Sequence, residues 1–156
     1  AITASVCNLR PESRGTIHIK SPDNSEQPAI RPNYLSAPND RDVAAKSIRL
    51  TRQIMAAKAV ARFEPTEVLP GPQITSDDDL AREAGNIATT IFHPVGTCKM
   101  GSDEMAVVDD RLRVRGVKRL RVADASVMPT ILSGNTSAAC VVIADKCADM
   151  ILEERR

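Results

Sequence analysis

Aromatic side chains are almost missing. Across 156 residues there are only Tyr34, Phe63 and Phe92, and no tryptophan. Bases of single-stranded nucleic acid need rings to stack on, so that binding class is disfavoured. The core has to be aliphatic, built from Ile, Val, Leu, Ala and Met. An excess of one charge is missing too. The formal net charge is +1, which gives no strong field to gather a polyanion. The longest purely apolar run, residues 138–144, is far too short to cross a bilayer. Residues 1–15 have neither a basic stretch nor a long apolar one, so they do not read as a signal peptide. The missing initiator methionine reads as a processed or truncated start.

Two further absences concern chemistry. None of the four cysteines, Cys7, Cys98, Cys140 and Cys147, forms a C-x-x-C pair. If Cys140 and Cys147 share a helix, about 10.5 Å of axial rise separates them, beyond disulfide reach. Reduced thiols and a cytoplasmic setting are expected. The seven glycines form no G-x-G-x-x-G, so the loop that grips a dinucleotide pyrophosphate is not in this chain. What is present is an ordinary globular composition, 42 % apolar, in a chain long enough for a real core.

Residues 16–20, TIHIK, alternate. They predict a half-buried strand starting at Gly15, with Ile17 and Ile19 inward and His18 on the wet face. Residues 21–39 hold Pro22, Pro28, Pro32 and Pro38 and read as loop with one short strand near 29–31. A helix is expected over 42–62, capped by Asn39 or Asp40 and ended by Pro65. Ser76 should cap a second helix, with Asp77, Asp78 and Asp79 at its positive end. The same three aspartates read less well as a metal site, since no further ligands gather near them. Leu112, Val114, Leu120 and Val122 alternate with arginines around Gly116, which predicts two strands and a turn with the basic side chains outward. Asp109, Asp110 and the near-neutral total oppose a nucleic-acid reading of that stretch. A final helix is expected over 135–152, its apolar first half buried and its EERR end solvated.

Three stretches carry the chemistry: HPVGTCKMG (93–101), VADASVMP (122–129) and SGNTSAA (133–139). Each alone has a bland reading, as a loop histidine, a strand end and a helix start. As an ordered set, with L-R-V-x-D-A-S-x-M-P and G-N-T before a last helix, they resemble the C-terminal region of the glucose–methanol–choline oxidoreductases. The choline dehydrogenase-like branch is the most similar. The resemblance implies an α+β fold, with a mixed or antiparallel sheet and helices. Residues 1–108 would belong to the substrate-binding domain, and residues 109–156 would supply the last strand and helix of the FAD-binding domain. It implies an FAD-dependent dehydrogenase or oxidase of alcohols, choline-like ones included, in which hydride leaves a CH–OH donor for the flavin.

Such chemistry needs a base at the hydroxyl. Imidazole takes up a proton near neutral pH, and a positioned base contributes about 10²–10⁴-fold in rate. Pro94 restricts His93 to extended backbone, and the loop glycines allow close approach to a flat cofactor. By resemblance His93 is the catalytic base. Asn135, which cannot act as a base, orients the substrate oxygen. Asp124, Ala125, Asn135, Thr136 and Ser137 would line the FAD, and the free N–H groups opening the last helix would suit its anionic edge. No metal site is expected, since His93 and Cys98 make only two ligands. The partners implied are a small alcohol and an N-terminal FAD-binding part beyond this chain, with no nucleic acid and no membrane span. The rival is a stand-alone binding or structural domain that keeps the fold without the chemistry. It accounts for the absent nucleotide loop but gives no reason for the histidine, the asparagine and the flavin-facing segments together.

Overall fold

Residues 2–154 are described by a computed structural model of the protein. The architecture is α+β, with helices and a small two-stranded antiparallel sheet. The chain divides into two compact units, Ala1–Thr89 and Thr90–Arg156.

In the first unit β1 (Thr16–His18) pairs antiparallel with β2 (Ala29–Arg31), Thr16 opposite Arg31 and His18 opposite Ala29. Only glycine fits at position 15, because a Cβ there would lie 2.6 Å from the Pro32 carbonyl oxygen. The strand is not half-buried as its alternation predicts. Ile19 is 88 % exposed, and Ile17 and Ile30 are exposed as well. Strands of three residues present too little surface to hold a layer against them, so the alternation separates two open sides.

Helix α1 (Pro38–Met55) begins without the expected side-chain cap. Ala37 is the N-cap, and Pro38 takes the first turn, where its missing N–H costs nothing. Asp40 is instead 4 % exposed and faces the preceding chain. One of its oxygens accepts from Glu12 N–H at 2.9 Å and Asn8 Nδ2 at 3.1 Å; the other accepts from Ser13 N–H at 2.8 Å. The helix also stops at Met55, well before Pro65, and a short helix α2 (Lys58–Ala61) follows extended Ala57. The cause is Arg52. Its guanidinium holds both oxygens of Glu67, at 2.9 and 2.8 Å, and the carbonyls of Gly71 and Ile74. Those bonds require the chain to fold back over the last turn of α1. Helix α3 (Asp77–Ile87) starts as its sequence predicts, with Ser76 Oγ accepting from Asp79 N–H at 3.1 Å. Helices α1 and α3 pack on one another and bury Ala45, Leu80, Ala81 and Ala84.

The second unit has a core of Val108, Leu112, Val127 and Cys147, with Met100, Val122, Ile143 and Ile151 packed around it. The basic stretch makes single bridges, not two full strands. Arg113 pairs with Arg121, and Val114 N–H donates to Leu120 O at 2.9 Å. Leu112, Gly116 and Arg119 all hold positive φ, which interrupts an extended ladder. Arg121 does not point outward either: its Nη2 is buried and lies 2.6 Å from Glu154 Oε1. Helix α4 (Ser137–Glu153) turns Ile143, Cys147 and Ile151 to the core, one turn apart. The expected burial of its apolar first half fails, because Val141 and Val142 are 67 % and 59 % exposed. A small unit covers one side of the helix only.

The carboxylate of Asp40 generates a stability prediction. Burial raises its pKa, but hydrogen bonds from the Ser13 side chain and from the backbones of Glu12 and Ser13 outweigh this and hold it below 3.8. A depressed carboxylate stabilises the fold fully above its ordinary pKa and stops doing so as pH falls through its folded value. Asp40→Ala should therefore cost about 1–3 kcal/mol at neutral pH. In urea unfolding the gap from wild type should narrow as the pH drops below 3.8; a gap independent of pH would exclude the charge as its source.

Candidate active site

The loop carrying His93 is joined to residues 122–129 by backbone hydrogen bonds. Cys98 N–H donates to Ser126 O at 3.0 Å, and Met100 N–H donates to Val127 O at 2.8 Å. Gly101 N–H then reaches Val108 O at 3.2 Å. Residues 93–101 and 122–129 are thus zipped together. Gly96 sits where they cross, with φ of 88° and its Cα so close that a Cβ would lie 3.4 Å from the Met128 carbonyl oxygen. Phe92, just before the histidine, also has positive φ, 63°. A bulky side chain rarely adopts that conformation, and here it leaves the ring exposed.

The third stretch joins through one side-chain contact. His93 Nδ1 lies 2.9 Å from Thr136 Oγ1. Thr136 is the N-cap residue of α4, yet its hydroxyl does not cap the helix. The N–H groups of Ser137, Ala138 and Ala139 consequently have no acceptor among the described residues; Cys140 N–H is the first to be satisfied, by Thr136 O at 3.0 Å. Asn135 directly precedes Thr136, so its backbone lies one peptide unit, about 3.8 Å between Cα atoms, from the residue that holds the imidazole. Asn135 is exposed, as is Ser137. Next to them, a Cβ on Gly134 would meet open space. The result is a half-buried imidazole beside an uncapped, small-residue helix start.

Asp124 is placed differently from a ligand-facing acid. Its Oδ1 accepts from Ser126 N–H at 2.8 Å and from Ser126 Oγ at 2.5 Å, capping a 3-10 turn over Ala125–Val127. One carboxylate oxygen is used in this local turn. Among the described residues no group of three or more His, Cys, Asp or Glu side chains could hold a metal ion, and no helix is long and apolar enough to cross a membrane. All four cysteines are free thiols. The residue the sequence undervalued is Thr136. Its contact spans 43 residues of sequence, and no local pattern announces it.

Comparison with known proteins gives the family of the chain. Residues 11–144 match the GMC oxidoreductase family. An alcohol dehydrogenase (acceptor) of Pseudomonas putida is 43 % identical over 152 residues, which are 97 % of this chain and 28 % of that protein. An oxygen-dependent choline dehydrogenase of Cronobacter sakazakii is 47 % identical over 146 residues, 94 % of this chain and 26 % of that protein. Among solved structures, an FAD-dependent oxidoreductase of Chaetomium thermophilum superposes with a TM-score of 0.88 at 32 % identity, covering 95 % of this chain and 26 % of that one. The chain belongs to the GMC oxidoreductase family, and it spans about a quarter of the length of these relatives.

The packing of the loop predicts a contrast between two glycines. Gly96→Ala should lower stability by about 1 kcal/mol or more, because its φ of 88° penalises a Cβ. Gly134→Ala should change it by about 0.5 kcal/mol or less, since nothing lies within 4 Å. Thermal unfolding of the two variants checks this; equal losses would mean that the 93–101 loop is not seated as described.

Proposed function

We propose that this chain is the C-terminal part of an FAD-dependent oxidoreductase of alcohols, in which His93 is the base and Asn135 orients the substrate oxygen. The observation that carries the reading is the contact between His93 and Thr136, 2.9 Å apart, which ties the imidazole to the residue that follows Asn135 at the open start of α4. In this reading residues 1–108 belong to the substrate-binding domain and residues 109–156 to the FAD-binding domain. The main grip on the dinucleotide comes from the N-terminal part of the polypeptide, outside this chain.

The residues present fit a flavin. The N–H groups of Ser137, Ala138 and Ala139 have no acceptor among the described residues, and together with the helix dipole they favour an anionic edge. The side chains around them are small, and Gly134 opens onto free space, so a planar group can approach closely. Asn135, Thr136 and Ser137 would hold its edge from the helix start, and the backbone of Asp124 and Ala125 would run along it. FAD, when bound there, supplies the acceptor for the hydride that leaves the alcohol carbon. The chain supplies the proton chemistry. His93 removes the hydroxyl proton, which raises electron density on the oxygen and eases departure of the hydride. The Asn135 amide donates a hydrogen bond to that oxygen and fixes its direction. Pro94 keeps the histidine backbone from swinging away.

The relatives include an alcohol dehydrogenase and a choline dehydrogenase, which supports a small alcohol as the substrate in this reading.

In the full-length protein His93→Ala should slow alcohol-dependent flavin reduction at least tenfold, in line with the usual worth of a general base. Asn135→Ala should slow it less. Stopped-flow absorbance measures both, and wild-type kinetics in His93→Ala would remove the base assignment. Expressed alone, residues 1–156 should hold FAD weakly and oxidise no alcohol. A yellow, active 156-residue protein would contradict the division of the cofactor site.

A further inference from the structure

We infer that Thr136 is the positioning residue of His93: its hydroxyl accepts the Nδ1–H of the imidazole and leaves Nε2 unprotonated toward the substrate. The inference rests on the reading of His93 as the base and goes beyond it, because it assigns the ring nitrogens.

Imidazole has two nitrogens, and the bond made by one decides which tautomer the other shows. Here Nδ1 faces Thr136 Oγ1 at 2.9 Å. Thr136 is 6 % exposed, so water competes little for that hydroxyl. The backbone of Thr136 is helical, with φ of -82° and ψ of -13°, so the hydroxyl is not in the position from which an N-cap side chain accepts. It is free to accept from the histidine. When it accepts from Nδ1–H, the lone pair sits on Nε2, at the far side of the ring from Thr136. The proton then leaves the alcohol oxygen for Nε2, and the imidazolium keeps its Nδ1–H···Oγ1 bond, now charge-assisted. The bond is retained through the step, so the ring need not turn. Pro94 restricts the backbone of His93 and Thr136 restricts its ring, two restraints that act on different torsions.

A valine at 136 keeps the shape and removes the hydroxyl; a serine keeps the hydroxyl. In the full-length protein Thr136→Val should reduce the rate of flavin reduction about tenfold or more, the scale of a misaligned reacting group, with KM changed by less than about threefold. Thr136→Ser should stay within about threefold of wild type. Equal loss in both variants would mean that packing matters and the hydroxyl does not, and a wild-type rate in Thr136→Val would also overturn the inference. A second readout needs no turnover. With histidine labelled in nitrogen-15, the signal lost in His93→Gln belongs to His93. In neutral wild-type protein it should show the Nδ1–H tautomer, and Thr136→Val should shift it toward Nε2–H. An Nε2–H tautomer in the wild type would overturn the inference even if no Thr136 variant folds. His93→Ala with undiminished reduction would remove the base reading itself, and the tautomer measurement would still decide what Thr136 does to the ring.

Discussion

Two backbone hydrogen bonds, from Cys98 N–H to Ser126 O and from Met100 N–H to Val127 O, fix the chemically loaded end of this chain. Each is worth about 1 kcal/mol net, which would not hold a loop alone. Val127 adds what they lack. Its side chain is fully buried in the core of Val108, Leu112 and Cys147, a burial worth about 1.5–3 kcal/mol. The core fixes where the 122–129 segment lies, and the hydrogen bonds fix the register of the 93–101 loop on it. Cys147 of that core is on α4, so the helix whose first residues meet His93 is anchored by the same cluster. The placement of the imidazole is thus inherited from packing in the aliphatic core.

Helix α4 is treated differently at its two ends. At its C-terminal end Glu153 and Glu154 put negative charge where the dipole is already negative, an unfavourable arrangement. Arg111 and Arg121 offset it, Arg111 Nη2 lying 3.0 Å from Glu153 and Arg121 Nη2 lying 2.6 Å from Glu154. The bond from Arg121, opposed by partial desolvation, holds the Glu154 carboxyl below its usual range. These bonds tie the basic turn to the helix end. At the N-terminal end nothing comparable is present, and the first N–H groups stay open. One end is tied by ion pairs and the other is left with open N–H donors, the partial positive charge of a helix start.

What could be read from the sequence was what short-range chemistry determines. Ser76 and the aspartates after it mark the start of α3 because a cap and a dipole act within one turn. The β1–β2 pair was readable because Gly15 and the prolines confine the choices. The α+β class and the family came from three motifs taken together. The failures share a cause. Asp40 looked like a helix cap, but its partners Asn8, Glu12 and Ser13 lie about 27–32 residues away. The early end of α1 depends on Arg52 reaching Glu67 and Ile74. Arg121 looked solvent-facing until Glu154 was placed beside it. Local pattern assigns elements, and charge pairs distant in sequence adjust where they end. Apolar pattern also overstates burial where a unit is small, as at Ile19 and Val141.

Thr136 condenses this. A threonine at an N-cap contributes about 1 kcal/mol when its oxygen accepts from the first turn. Here that oxygen bonds His93, 43 residues away in sequence. With Thr136 in helical backbone its hydroxyl lies out of capping position, and two features coexist. The imidazole gains a fixed partner at Nδ1, and the helix keeps N–H groups that a capping side chain would otherwise have occupied. The helix start stays open while the ring is tied to it, and one hydroxyl group at the N-cap position of α4 links the two.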